Sequence, residues 1–311
     1  MISKLNIGII GIGHLGSRHL KVYSELSDHV NIVGIADVQE ERTRKLAQQY
    51  HVPYVKNYTD LVGKVDAVNI CTPTILHFDV AHHFLKNGIH TFIEKPITTT
   101  LSQADKLISM AKKNKCLIQV GHIERFNSAF EGIHHFAKNP RFVECHRLNH
   151  FPNRSLDIGV VMDLMIHDID IILGLTESKV SHVDAVGVPV LTPLEDIANA
   201  RITFKNGCVC NLTASRVSDE VTRKIRIFLA DAYISLDYIK QEAFIYKKHG
   251  TLISKHALPI EKEEPLKKEL LSFVDCVQNK KKPIVSGVEG RDALKLAIDI
   301  TQKIWKTKKN I

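Results

Sequence analysis

The chain has six cysteines, at positions 71, 116, 145, 208, 210 and 276, and no C-x-x-C pair among them. Paired spacing is what zinc modules and dithiol redox centres require, so neither organises this protein. Several of the six lie in apolar runs, as small buried hydrophobes do, which suits a reducing compartment. Nothing resembling an aromatic RNA-binding signature is present either, so nucleic acid is not an expected partner. Long hydrophobic runs are also missing. The apolar start, MISKLNIGIIGIGHLG, is interrupted by four glycines before it reaches the length of a membrane span, and it has no small-residue cleavage site. A cytoplasmic protein with no membrane partner is expected. There is no internal repeat, low-complexity tract or long linker.

What is there has the proportions of a globular enzyme. At 311 residues, 44% hydrophobic and 24% charged, the chain is long for one core, and two domains are expected. The net charge of +8 comes partly from lysines near the end, in PLKKEL, NKKKP and WKTKK, where acids are interspersed. That is a solvated surface with a mild attraction for anionic substrates.

The first third alternates short β-branched runs with amphipathic stretches: LNIGIIGI, then HLGSRHLKVYSEL, NIVGIAD, QEERTRKLAQQY, and onward to CLIQVGH at 116–122. Strand alternating with helix implies parallel pairing and a doubly wound sheet. Beyond residue 122 the rhythm changes. A helix at FNSAFEGIHHFAKN leads to the strand FVECHRLNH, and after VVMDLMIHDID the runs KVSHVDAVGVPV, NARITF, CVCNLTAS, RKIRIFLA, AYISLDY and AFIYKK read as strands, with a hairpin turn expected at Asn206–Gly207. The expected fold is therefore α/β followed by α+β: a dinucleotide-type domain over 1–121, then 122–311 carrying an open, mostly antiparallel sheet and a closing helix at about 286–308. The uncovered face of such a sheet favours a homo-oligomer, a dimer or tetramer.

Two stretches carry chemistry. In GIIGIGHLGSRHL, Gly11, Gly13 and Gly16 follow a strand and open a helix with the G-x-G-x-x-G spacing of a Rossmann dinucleotide loop. A pyrophosphate would sit on the helix N-terminus, against Gly11, Gly13, His14, Leu15 and Gly16. Asp37, 21 residues after Gly16 at the end of the second strand, is placed to accept from the adenosine ribose and to repel a 2′-phosphate, so NAD is expected as cofactor. Asp37 could also simply cap the next helix, and Arg42 and Arg44 keep NADP possible. The second stretch is VVMDLMIHDID. On a helix Asp163, His167 and Asp170 share one face while Asp168 points elsewhere. A titratable stripe on an apolar helix is either a structural network or a working site. No metal is expected, although two carboxylates and an imidazole could bind one.

With CTPTILH at 71–77 and IEKP at 93–96, these motifs resemble the glucose-fructose oxidoreductase, inositol dehydrogenase and rhizopine catabolism family. The matching residues are the glycine loop, Thr72–Pro73 with His77, Glu94–Lys95–Pro96, and Asp163 with His167. The C-terminal EPLKKELLSFVDCVQNKKKPIVSGVEGRDALKLA also resembles the family's closing pattern. The resemblance implies NAD(P)-dependent oxidation of a secondary alcohol of a sugar or cyclitol, or reduction of the ketone. It implies cofactor contacts from Thr72, Pro73, His77, Glu94 and Lys95. It makes Lys95, Asp163 and His167 the catalytic set. A histidine base with a pKa near neutrality suits removal of the hydroxyl proton, and Lys95 suits the developing oxygen charge. Asp170 is expected to orient His167.

GHIERFNSAF and NHFPNRSLDIGVVMDLMIHDID resemble the subgroup acting on nucleotide-linked amino sugars, and imply oxidation of the 3-hydroxyl of UDP-N-acetylglucosamine. The expected substrate contacts are Lys95, Arg125, Arg154, Asp163 and His167. For the two arginines, ordinary surface salt bridges are the competing reading. A free sugar, polyol or inositol remains the alternative substrate, and a dinucleotide-dependent sensor the alternative class.

Overall fold

The computed structural model describes residues 4–152 and 157–308, which form two compact units. The first is built on five strands: β1 (Leu5–Ile10), β2 (Val30–Ala36), β3 (Ala67–Ile70), β4 (His90–Glu94) and β5 (Ile118–Gly121). They pair in parallel in the order β2-β1-β3-β4-β5. Between them run α1 (His14–Glu25), α2 (Glu40–Tyr50), α3 (Thr74–Lys86) and α4 (Leu101–Lys113). Because helices cover a parallel sheet, its central strands are largely apolar; Ile7, Ile9, Val68, Ile70, Phe92 and Ile93 are all buried. The chain order reverses between β1 and β3, and ligand crevices of open α/β sheets form at the carboxyl ends of strands at such a point.

The second unit begins with α5 (Ser128–Ile133) and β6 (Phe142–Leu148), followed by α6 (Ile166–Thr176). The sheet continues with β7 (Val180–Val188), β8 (Ile197–Phe204), β9 (Val209–Ser215), β10 (Thr222–Phe228), β11 (Ala232–Asp237), β12 (Glu242–His249) and β13 (Leu252–Ala257). Its order is β13-β12-β11-β10-β6-β9-β8-β7, antiparallel except where β6 lies parallel to β9. Alternation sets the two faces: Val143, Cys145, Ile225, Ile227, Ile234 and Leu236 point into the core, and the residues between them do not. Gly207, at φ +87°, makes the turn joining β8 to β9, where the Asn-Gly pair predicts it. The helix expected over 126–139 is shorter. Asn127 caps it by accepting from the Ala129 N–H at 3.1 Å, and after Ile133 the polar His134–Asn139 segment unwinds into turns.

The remaining helices are α7 (Pro265–Asn279) and α8 (Gly287–Lys308). Residues 266–291 belong to the first unit, whereas the sequence reading assigned everything after 121 to the second. The reasons are local. Phe273 stacks edge-on against Phe92 of β4, Gln119 donates to the Glu269 carbonyl at 3.0 Å, and the Val120 N–H donates to Val285. The later part of α8 places Ala293, Leu296, Ala297, Ile300 and Ile304 in the core of the second unit. Among the described residues no helix is long and apolar enough to cross a membrane.

One buried ion pair pins the loop before β8. Asp196 accepts from the backbone N–H groups of Val190, Leu191 and Thr192 at 2.6–2.8 Å and from Arg216 Nε at 2.8 Å, with both side chains fully enclosed. Burial alone would raise the Asp196 carboxyl; the loop amides and Arg216 outweigh it and hold the group well below the usual carboxylate range. Replacing it by Asn strands a buried guanidinium, and Asp196→Asn is expected to cost about 3–5 kcal/mol in denaturant unfolding. Since the folded-state pKa is depressed, this stabilisation is present above the unfolded carboxylate value of about 4 and is lost as pH falls below it. The gap between wild type and variant should therefore narrow in acid.

Candidate functional site

In the first unit the chemistry-bearing motifs gather at the ends of β1, β3 and β4. Gly11 leaves β1 at φ +85°, and a Cβ there would lie 2.7 Å from the backbone of Cys71 and Thr72. A Cβ at Gly16 would overlap the Gly11 carbonyl oxygen. Both glycines are thus required by close backbone approach, as the G-x-G-x-x-G spacing predicts. Helix α1 starts at His14 with Gly13 at its N-cap, without a capping side chain or an acidic residue in its first turn. Its leading N–H groups are suited to an anion.

Asp37 is half-buried at the end of β2. Its Oδ2 accepts from the Ile12 N–H of the glycine loop at 2.6 Å, and its Oδ1 from the Gln39 N–H at 2.9 Å. The carboxylate therefore organises the loop from both sides, while α2 takes Gln39 rather than Asp37 as its N-cap. Further lone pairs leave it able to accept from ribose hydroxyls. Of the two arginines that favour NADP, Arg44 is paired with Glu40 at 2.5 Å and lies over Tyr54. Arg42 approaches the glycine loop, its Nη2 3.9 Å from where a Gly13 Cβ would be.

Thr72 and Pro73 lead into α3, and the buried Thr72 hydroxyl oxygen has no hydrogen-bond partner among the described residues. An orphaned polar atom beside the glycine loop fits a bound dinucleotide. His77 has other work. Its Nδ1 lies 2.9 Å from the Pro96 carbonyl oxygen and its Nε2 2.9 Å from that of Thr72, so the ring ties the two motif loops together. A neutral ring can donate to only one of these oxygens. Burial pushes the His77 pKa down, against the opposing pull of both carbonyls and Glu94. Glu94 is buried too; its Oε2 accepts from the Lys95 N–H at 3.2 Å. Lys95 itself is partly exposed, and the peptide bond to Pro96 is cis. His77 and Glu94, expected to touch cofactor, have in this structure partners that hold the loops.

In the second unit the VVMDLMIHDID stretch is not one regular helix. Val161–Met165 forms a π turn, and α6 begins only at Ile166. Asp163 lies in the wide turn and His167 in the first turn of α6, both half-buried, so the uniform i, i+4, i+7 stripe does not apply. Asp170 was expected to orient His167. The partner its carboxylate has here is Arg125: Nε at 2.6 Å and Nη2 at 3.2 Å, with Nη2 also donating to the Asp170 carbonyl at 2.8 Å. A Cβ at Gly174 would overlap that guanidinium, so Arg125 runs under α6 with its side chain only 12% exposed. The arginine thus makes the salt bridge that competes with the sugar or diphosphate reading, in a buried and not a surface form. Arg154 lies outside the described residues.

A second clamp sits beside the first. Arg147, inward-facing on β6, makes two bonds of 2.9 Å to Asp168 and one of 2.8 Å to Glu124, all three buried, with the Tyr238 ring alongside. Burial raises the Asp168 carboxyl, and Arg147 opposes that rise. The sequence reading missed Arg147, although alternation along FVECHRL puts it on the same face as Val143 and Cys145, where a charge needs a partner. Among the described residues, the one set of three His, Cys, Asp or Glu side chains whose ligating atoms lie within 4.8 Å of one another is His19–Cys71–Glu94. The alternative of a metal on Asp163, His167 and Asp170 has no such cluster.

Residues 5–122 match the family described as an oxidoreductase family with an NAD-binding Rossmann fold, and residues 117–235 match the GFO/IDH/MocA C-terminal domain. The chain belongs to the GFO/IDH/MocA oxidoreductase family. It is 37% identical over 303 residues to the UDP-N-acetylglucosamine 3-dehydrogenase of Acidithiobacillus ferrooxidans, covering 95% of this chain and 96% of that one. A solved structure of that enzyme superposes with a TM-score of 0.92 at 36% identity, over 97% of this chain and 98% of the other. The chain is also 27% identical to the myo-inositol 2-dehydrogenase of Thermotoga maritima, over 94% of each. The protein is thus an oxidoreductase whose cofactor is NAD, and the glycine loop, the bare N-terminus of α1 and Asp37 are the residues that fit it. Removing the Asp37 carboxylate takes away the acceptor of two backbone N–H groups and a group that fits the adenosine ribose. Asp37→Ala is expected to weaken NADH binding about tenfold or more and to reduce the preference for NADH over NADPH, read from nicotinamide fluorescence titrations.

Proposed function

We propose that this protein is an NAD-dependent dehydrogenase of a nucleotide sugar, oxidising the 3-hydroxyl of UDP-N-acetylglucosamine to a ketone. What supports the reading is the likeness, over nearly the whole of both chains, to the Acidithiobacillus ferrooxidans enzyme, together with the presence of Lys95, Asp163 and His167 in the family's motif positions. In this reading His167 takes the proton of the substrate hydroxyl, a histidine being near neutrality without large tuning. Lys95 donates to the oxygen as carbonyl character grows. Asp163 orients the imidazole or holds a neighbouring sugar hydroxyl. A bound NAD would supply the acceptor for the hydride that leaves the carbinol carbon.

The two clamps serve this assignment. Arg125 on Asp170 and Arg147 on Asp168 fix the rotation of α6, and with it the ring of His167. Arg125 therefore acts beneath the site, and recognition of the nucleotide falls to other groups.

The likeness to the Thermotoga maritima enzyme favours a second reading, oxidation of a cyclitol or free sugar. A sensor without catalysis is disfavoured, since it has no use for a proton-transfer set. In the leading reading the enzyme is cytoplasmic and works as a homo-oligomer, with exposed apolar residues such as Val186, Val188 and Leu191 marking where copies meet. Its product is suited to a transaminase that installs a 3-amino group, the sugar of amide-linked lipid A.

The test is a panel. Purified protein is mixed with NAD and a set of UDP-sugars, free sugars and inositols, and absorbance of the reduced cofactor is followed. Reduction with UDP-N-acetylglucosamine is expected. Reduction with free sugars or inositols only would replace the leading substrate, and none at all with tight NADH binding would favour the sensor. His167→Ala should cut kcat by about 10²–10⁴-fold while leaving NADH affinity nearly unchanged; equal losses in both would remove it as the base.

A further inference from the structure

Behind the Glu94–Lys95 turn lies a buried polar chain that none of the motifs includes. His19, on the inward face of α1, is fully buried, as are Asn69 on β3 and Tyr23 one turn further along α1. The Tyr23 hydroxyl donates to Asn69 Oδ1 at 2.9 Å, and Asn69 Nδ2 faces His19 Nδ1 at 2.7 Å. Burial, with Cys71 and Glu269 nearby, keeps the Tyr23 pKa well above its ordinary value, so the hydroxyl remains a donor. The placement of the two Asn69 amide atoms gives the chain its direction. Asn69 turns its oxygen to Tyr23 and its N–H to His19, His19 Nδ1 accepts, and a neutral ring then carries its proton on Nε2.

Nε2 stands 3.0 Å from Glu94 Oε1, close but not directed as a good hydrogen bond. The other carboxylate oxygen accepts from the Lys95 N–H, and at Gly121 on the neighbouring strand a Cβ would lie only 2.9 Å from it. Although burial pushes the Glu94 carboxyl up, His19, Lys95 and His77 outweigh it and hold the group below the usual range. A buried carboxylate deprived of such company takes up a proton or turns toward water. Turning away would remove the acceptor of the Lys95 N–H, and protonation would weaken it.

We propose that His19 is a positioning residue for Lys95, acting through the Glu94 carboxylate to hold the turn from which the lysine side chain departs. The inference rests on the reading of Lys95 as the amine that meets the substrate oxygen. Cys71 shares the cluster with His19 and Glu94, but a metal there would need a bare Nε2 and a thiolate. The direction of the Asn69 chain protonates Nε2, and burial pushes the Cys71 thiol well up. The cluster is hydrogen-bonded polar packing, and zinc is its competing occupant.

The experiment compares His19→Leu, His19→Gln and Lys95→Ala, using NAD and the panel member that the wild-type protein oxidises. His19→Leu is expected to melt as a folded protein and bind NADH nearly as the wild type does, while kcat falls about 10²-fold, the effect of a misplaced catalytic group. His19→Gln, whose side-chain N–H can still face Glu94, should recover most of the rate. Wild-type kcat in His19→Leu beside an inactive Lys95→Ala overturns the inference and spares the Lys95 reading. An active Lys95→Ala overturns that reading itself. Equal losses in the two His19 variants also overturn the inference. Independently of any substrate, ¹⁵N-histidine NMR should show His19 neutral with its proton on Nε2; a proton on Nδ1, or on both nitrogens, overturns it. So does stoichiometric zinc binding that Cys71→Ser abolishes.

Discussion

An ionised side chain inside this protein has to be met by opposite charge or by N–H groups, and most of what surrounds the candidate site follows from that. Glu94, Asp168, Asp170 and Asp196 are each 8% exposed or less, and each faces a histidine or arginine at 2.6–3.0 Å. Leaving any of them alone would cost several kcal/mol. The pairs therefore act as fixed points. One holds the turn before Lys95, two hold the helix carrying His167, and one holds the loop before β8.

The fixed points differ in what they restrain. Arg147 and Arg125 reach α6 from β6 and from the segment before α5, so the helix is gripped at Asp168 and at Asp170. Between them runs an almost wholly apolar surface, with Ile166, Ile169, Ile171 and Ile172 buried. Such a surface resists translation but does little to choose a rotation, because one isoleucine fills much the same space as the next. Charge supplies the choice. The π turn at Val161–Met165 then offsets Asp163 from the helix that follows.

Much of this was legible in the sequence, and where it was not the reason is physical. The glycine loop could be read because its residues answer to backbone geometry that only glycine meets. The strands of the second unit could be read because burial on one face enforces alternation, and Asn206–Gly207 because a tight hairpin needs positive φ. The π turn could not. Its segment is apolar apart from Asp163, and a single polar residue marks neither a 3.6-residue nor a wider period. β13 escaped because most of its residues are exposed, with no buried face to impose a pattern. The partners of Asp168 and Asp170 lie 21 and 45 residues away along the chain, beyond any local rule. The return of residues 266–291 to the first unit rests on contacts such as Phe92 with Phe273 that spacing does not reveal. Asn69 and Arg147, by contrast, were visible as polar residues at inward-facing strand positions, and asking where their hydrogen bonds go would have found both networks.

The Arg147 cluster also bears on how the sequence can drift. Two carboxylates share one guanidinium, so a change at any of the three positions alters the ionisation of whichever acids remain. A lineage that loses Arg147 must shed Asp168 and Glu124 in step, or accept a proton onto one of them. Among relatives the identities at these three positions should therefore rise and fall together, even while the surface around β6 diverges.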